Sequence, residues 1–171
     1  MIEPTRRLFI GLMPGADVRD ALIEHQQRWH WGPGTPTRPG RLHLTVHFLG
    51  EIDATREWAL RNALAGEEVA PFDLVLRTPE CWSGGVAVLR PDAHPALLEL
   101  HARLAGRLLL AGIVPHRPDF KPHVTLARGA PSAAPPEAAP PVRWTVSDFA
   151  LVWSRPGPPA HYEVLDRYGA T

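Results

Sequence analysis

Cysteine and lysine are nearly absent from this 171-residue chain, which has one of each, Cys81 and Lys121. A single cysteine excludes an internal disulfide and a cysteine-built zinc site, and its expected place is that of a small buried apolar side chain. Net charge is lacking too, because 18 basic side chains balance 18 acidic ones. A protein that tracks a long duplex carries a basic excess, since each phosphate contact needs a cation. Balance leaves room for gripping one or two phosphates in a local cleft. With arginine supplying all but one of the basic residues, composition alone makes no surface arginine informative. No apolar run approaches the ~18 residues of a membrane span. The apolar part of the opening "MIEPTRRLFIGLMPG" is too short for a secretion signal and meets Pro14 at once, so the expected compartment is the cytoplasm. No nucleophile elbow of the Gly-x-Ser-x-Gly type is present. The stretch "GPGTPTRPG" (32–40) fails as a phosphate loop, having too many prolines and no helix start after it.

The chain is 44% hydrophobic, enough for a real core, and its length suits one domain of two closely joined lobes spanning 1–171. Apolar periodicity predicts helices over 16–31, 53–68 and 94–113, the last being the longest. The middle helix is expected to turn Trp58, Leu60 and Leu64 inward. Strands are expected at 6–14, 41–49, 72–82, 85–90, 122–129, 142–154 and 161–168, with a turn at Ser83–Gly84–Gly85 between the third and fourth. Residues 32–40 read as a loop. The Pro/Ala-rich run 130–141 reads as a flexible or extended loop. Helices and strands mix without a strict βαβ rhythm, which favours an α+β fold with largely antiparallel sheet.

The informative stretch is "RLHLTVHFLG" (41–50). Residues two apart in a strand share a face, so His43, Thr45 and His47 point one way and Leu44, Val46 and Phe48 the other, toward the core. The run "KPHVTLARG" (121–129) repeats the pattern eighty positions later, with His123 and Thr125 on one face and Val124 and Leu126 on the other. An imidazole carries or accepts a proton near neutral pH, and two of them across a cleft supply one general acid and one general base. A threonine hydroxyl beside each can hold a non-bridging phosphate oxygen. Arg128 falls on the wrong face by parity and reaches the cleft only if the strand ends or bulges near Ala127–Gly129. Phe48 and Arg128 are candidates to stack a terminal base, although parity sends Phe48 to the core. His47 either extends the active face or faces solvent. His43 and His47 would stand about 13 Å apart in a strand, too far for a shared metal. His25 and His30 are expected at the surface, and His94, His101, His116 and His161 show no partner pattern. The six tryptophans are expected in core and lobe packing.

The motifs "HLTVHFLG" and "PHVTLARG", together with "RLFIGLMP", "LLELHARL" and the closing "RPGPPAHYEVLDRY", resemble the two-histidine phosphoesterase superfamily. Within it, they resemble the bacterial RNA 2′,3′-cyclic phosphodiesterases, or 2′-5′ RNA ligases. The resemblance covers nearly the whole chain. It implies two pseudo-symmetric α+β lobes of antiparallel sheet plus helices around a central cleft. It also implies His43 and His123 as catalytic residues, Thr45 and Thr125 as phosphate ligands, and neither metal nor other cofactor. The expected partners are RNA 3′ ends bearing a 2′,3′-cyclic phosphate, or nucleoside cyclic phosphates, met by a monomer with no membrane attachment. On this reading His123 takes a proton from water and His43 protonates the leaving 3′ oxygen, with the two roles interchangeable at this stage. Reversal of the reaction would give 2′-5′ ligation. Alternatives left open are an RNA-end binding module without catalysis, a phosphodiesterase acting on 2′-5′ linkages or ADP-ribose cyclic phosphate, and a metal-dependent hydrolase.

Overall fold

The computed structural model describes residues 2–116 and 119–169. Its strands are β1 (Thr5–Leu12), β2 (Thr35–Pro36), β3 (Leu44–Asp53), β4 (Phe72–Trp82), β5 (Val86–Pro91), β6 (Val124–Arg128), β7 (Val142–Val146), β8 (Phe149–Arg155) and β9 (His161–Tyr168). The helices are α1 (Ala16–Gln27), α2 (Ala54–Leu64) and α3 (Pro95–Leu110), with a 3-10 turn at Pro39–Arg41. One antiparallel sheet runs in the order β7-β4-β5-β6-β3-β1-β8-β9, and β2 adds to β6 off this path. The α+β class with antiparallel sheet is therefore as expected.

The order divides into two halves of four strands. The inner two strands of each half belong to a strand–helix–strand unit, β1-α1-β3 in one and β5-α3-β6 in the other. The halves meet where β3 and β6 pair, at Leu44 opposite Val124. Each crossover helix leans on the opposite half: α1 contacts β7 and α3 contacts β3. This exchange makes one continuous core. Leu8, Ile10 and Leu12 of β1, Leu22 of α1, Leu97, Leu100, Leu104 and Leu108 of α3, and Val124 and Leu126 of β6 all belong to it. The α3 leucines recur at three- and four-residue steps, so one stripe of that helix is apolar. A small second cluster, Phe9, Ala150 and Val152, covers the other face of the β1 half. Phe9 alternates with Leu8 and Ile10, so the two clusters lie on opposite faces of the sheet.

Several expectations need correction. The run 142–154 is two strands, not one. It breaks at Ser147–Asp148, with β7 pairing with β4 at one edge of the sheet and β8 with β1 in the other half. Burial changes there from strict alternation to a continuous buried run, as the chain passes from an edge to an interior strand. The 130–141 run is not a free linker. His30 and Ala134 exchange backbone hydrogen bonds, and the Ala130 amide donates to the Gly85 carbonyl. Gly85 has φ 75°, and a Cβ there would meet the Ala130 nitrogen at 2.8 Å, so only glycine allows this loop to seat. Within 32–40, β2 pairs with Ala127–Arg128. Trp58 is 71% exposed rather than inward, and Cys81 is exposed rather than buried. His25 is buried and accepts a hydrogen bond from the Trp29 indole at 3.1 Å. Among the described residues, no helix is long and apolar enough to cross a membrane.

Candidate active site

The Leu44–Val124 pair sets the geometry. In an antiparallel pair, counting outward from it puts His43 across from Thr125 and Thr45 across from His123. Leu44 and Val124 are fully buried, whereas their four polar neighbours are half-buried on the opposite face. The two His-x-Thr segments are thus related by a local two-fold through one residue pair. His43 and His123 stand diagonally across the strands, a relation that spaces residues by about 7–8 Å. One phosphate fits in such a gap.

Both imidazoles are oriented alike. His43 Nδ1–H donates to the Arg41 carbonyl at 2.7 Å, and His123 Nδ1–H donates to the Lys121 carbonyl at 2.7 Å. Each acceptor lies two residues upstream of its histidine. In the neutral ring, Nε2 is then the bare nitrogen. At His43 it accepts from the Thr45 hydroxyl at 2.7 Å. The proton affinity of His43 is pushed down to about 4, first by burial, then by the nearby charges of His123, Arg41 and Arg128, against the opposing Arg41 carbonyl. His43 is therefore neutral at pH 7. The rings have different neighbours. Phe9 and Tyr162 pack on His43, at ring-centre distances of 4.8 and 5.1 Å, and Trp82 packs on His123 at 4.5 Å.

Bulges place the next residues. Along β3 the register passes from Thr45 opposite Gly11 to His47 opposite Ile10, so Val46 is an extra residue and the side-chain alternation flips. Val46 and His47 both point inward, and Phe48, expected in the core, is 40% exposed on the cleft face. His47 turns away from the Thr45 face and is shielded from bulk solvent, but it still forms part of the wall of the pocket beside β3. It is buried, donates to the His101 carbonyl of α3 at 2.8 Å and stacks on the His101 ring at 4.1 Å. Along β6 the register skips Leu126 in the same way. Leu126 and Ala127 are both fully buried, and Arg128 comes round to the face of His123, close enough for its charge to act on His43. The bulge that Arg128 required is present. Phe48 and Arg128 each lie five residues past their histidine and occupy equivalent places.

The two sides of the cleft are filled differently. Beside β6, β2 pairs with Ala127–Arg128 and the Thr37 amide donates to the Leu126 carbonyl. Beside β3, the segment after α3 touches the strand through the His116 amide, which donates to the Phe48 carbonyl. A pocket of about 300 Å³ remains there, with Thr45, Phe48, Trp82, His101, Phe120 and His123 in its wall. His101 is sandwiched between His47 and Phe120, 4.1 Å from each, and is held near 4 by burial and the neighbouring His47. No strand periodicity signals this stack, because His101 comes from a helix and Phe120 from a loop. A larger open hollow, lined by Arg28, His30 and residues 135–138, contains neither candidate histidine. Among the described residues, no group of three or more His, Cys, Asp or Glu side chains is placed to hold a metal ion.

The chain matches known proteins along almost its whole length. The family model of the 2′-5′ RNA ligase superfamily matches residues 17–158. The RNA 2′,3′-cyclic phosphodiesterase of Escherichia coli K12 is 34% identical over 160 residues, 88% of each chain. The Thermus thermophilus protein of the same name is 35% identical, over 95% of this chain and 89% of the relative. Among solved structures, E. coli LigT in apo form superposes with a TM-score of 0.81 at 29% identity, covering 99% of both chains. LigT complexed with 3′-AMP gives 0.80 at 28%, again covering 99% of both. The fold, the paired His-x-Thr strands and these matches agree, and the chain belongs to the 2′-5′ RNA ligase superfamily.

Proposed function

We propose that this protein hydrolyses the 2′,3′-cyclic phosphate at RNA 3′ ends to a 2′-phosphate, by metal-independent acid–base catalysis with His43 and His123. The observation that carries this reading is the antiparallel Leu44–Val124 pair, which sets two imidazoles and two hydroxyls on one face. The curated relatives bear the name of this activity.

His123, with Nδ1–H committed to the Lys121 carbonyl, takes a proton from water at Nε2. The water oxygen bonds to phosphorus in line with the 3′ oxygen, the P–O3′ bond breaks, and His43 Nε2–H protonates the departing oxygen. A 5′-hydroxyl attacking in place of water yields a 2′-5′ linkage by the same step. Thr45 and Thr125 donate to the non-bridging oxygens as charge builds on them, a preorganised electrostatic contribution. Arg128 adds a cation to the same oxygens. Phe48 stacks the terminal base at the mouth of the aromatic pocket.

His43 on its own is neutral at pH 7, so acting as the acid requires it to gain a proton when the anionic substrate arrives. Desolvation opposes the imidazolium, and a phosphate beside it favours the imidazolium. Proton uptake on binding is thus built into the scheme. We place the reaction in the cytoplasm and assign it to a monomer, one cysteine being in keeping with a reducing compartment.

The deciding experiment offers the purified protein a short oligoribonucleotide ending in a 2′,3′-cyclic phosphate, in chelator. A 2′-phosphate product is expected. A 3′-phosphate product, no turnover, or turnover only with added metal overturns the reading.

A further inference from the structure

Tyr162 stands at the start of the last strand, 121 positions from Arg41, yet the two meet. The Arg41 guanidinium lies over the Tyr162 ring, 4.7 Å from its centre, and its Nη2 donates to the phenol oxygen at 3.3 Å. The Tyr162 ring meets the His43 ring nearly perpendicularly, at 88° and 5.1 Å, and meets Phe9 at 70° and 5.0 Å. Phe9 completes the triangle, 4.8 Å from His43. Gly11, across the ladder from Thr45, leaves space for that ring, since a Cβ there would stand 3.0 Å from Phe9 Cε2.

Arg41 therefore serves His43 twice. Its carbonyl accepts the Nδ1 proton, and its side chain holds the ring that packs on the imidazole. The second motif repeats the device. Lys121 lies two residues before His123, its carbonyl accepts the Nδ1 proton, and its ammonium lies 6.0 Å from the Trp82 ring that packs edge-on against His123. The repeated unit is thus a cation, the histidine two residues on and an aromatic ring supplied by a distant strand.

We propose that Tyr162, clasped by Arg41, is the positioning residue for His43, packing the imidazole so that Nδ1–H stays on the Arg41 carbonyl and Nε2 stays aimed into the cleft. This inference rests on the hydrolase reading for its kinetics, but not for its spectroscopy. Edge-to-face packing fixes a ring plane, and a loosely held base or acid loses rate because misplacement of the reacting group raises the barrier. Tyr162 does not line the pocket beside Phe48, so its effect on rate should separate from any effect on substrate affinity.

The test uses the full chain, with adenosine 2′,3′-cyclic phosphate as substrate. For Tyr162→Leu, kcat should fall ten- to hundredfold with KM within about threefold of wild type, while Tyr162→Phe, which keeps the ring, should recover most of kcat. By nitrogen-15 NMR, wild-type His43 should be a single Nδ1–H tautomer with nuclear Overhauser contacts to Tyr162. In Tyr162→Leu the tautomers should mix and the titration midpoint should rise from about 4 toward the ordinary imidazole range, still facing the charges of His123, Arg41 and Arg128. A leucine variant with wild-type kcat overturns the proposal, and so does one whose KM rises while kcat holds. If Tyr162→Leu fails to fold, the wild-type spectrum decides, and a mixed His43 tautomer in the native protein overturns the proposal. A wild-type protein inactive on cyclic phosphate sinks the hydrolase reading while leaving the tautomer test to judge the positioning role.

Discussion

The His43 and His123 half-sites share a design but differ in setting. His43 has its bare nitrogen engaged by Thr45 and two aromatic rings against it. His123 has the Trp82 ring packed on it and borders the open pocket. Five residues on, one half carries Phe48 and the other Arg128. Beyond them, β2 closes the β6 side, whereas the β3 side stays open and aromatic. The two halves repeat one geometry with different surroundings: the side around β6 carries Arg128 and is closed by β2, and the side around β3 is aromatic and open; on the proposed reading the first takes the phosphate and the second the base.

Replacing the histidines breaks this comparison most severely. His43→Ala and His123→Ala should each cut kcat by about 10²–10⁴-fold and leave the circular dichroism spectrum unchanged. If the halves have separate roles, the two variants should each lose a different limb of the bell-shaped pH–rate profile. Loss of the same limb in both would mean the halves are not specialised as acid and base.

The positions five residues on should separate by substrate. Phe48→Ala should raise KM for nucleoside cyclic phosphates about tenfold, in line with about 1–3 kcal/mol per stacked base, and should scarcely change inhibition by inorganic sulfate. Arg128→Leu should do the reverse, weakening sulfate and all substrates alike whatever their base. Competition assays with purine and pyrimidine substrates distinguish these outcomes, and equal losses in both variants would contradict the division into a phosphate side and a base side.

Sulfate, a dianion across the useful pH range, also tests proton uptake. Burial pushes His43 down to about 4, and a bound dianion raises that midpoint. Between the two midpoints, binding draws in a proton. Sulfate affinity should therefore strengthen as pH falls, by up to about tenfold per unit, and level off below about 4. Calorimetry in buffers of different ionisation enthalpy counts the protons. In His43→Gln the part of the dependence that extends down toward pH 4 should vanish.

Much of the site was legible because strand alternation is a local property. His43, Thr45, His123 and Thr125 lie on one face, as their spacing implied, and the elements fell near their expected positions. Legibility failed where tertiary pairing intervened. Val46 and Leu126 are bulge residues, and a bulge is set by the partner strand, so parity misplaced Phe48 and His47 while leaving Arg128 conditional on an irregularity. The break at Ser147–Asp148 was hidden because both pieces read as strand; only the pairing sends them to different halves. Tyr162 and His101 carry no local signal, since each gains its role from a ring far away in sequence. Exposed Trp58 shows the limit of composition, because a large aromatic on an amphipathic helix need not face inward.

The smallest effect expected from the comparison concerns acid stability. The open side of β3 is backed by the His47–His101–Phe120 stack, and burial lowers the proton affinity of both histidines, with His101 held to about 4. Unfolded histidine titrates near 6.5. Between about pH 6.5 and 4 the unfolded chain therefore binds protons that the folded chain refuses, so stability is full above this window and declines as pH falls through it. On the closed side, α1 seats Gln26 on the Thr37 and Leu126 carbonyls, and the neighbouring His25, lowered by burial and by Arg28, adds a dependence of the same sign. His101→Phe preserves an aromatic ring between His47 and Phe120 and removes one titrating group from the stack. Its melting temperature should drop by a few degrees less than wild type's between pH 7 and 5, with both proteins matched in slope above pH 7. Parallel pH curves for the two proteins would mean that the stack opens to solvent and that the acid sensitivity lies with His25 and His43.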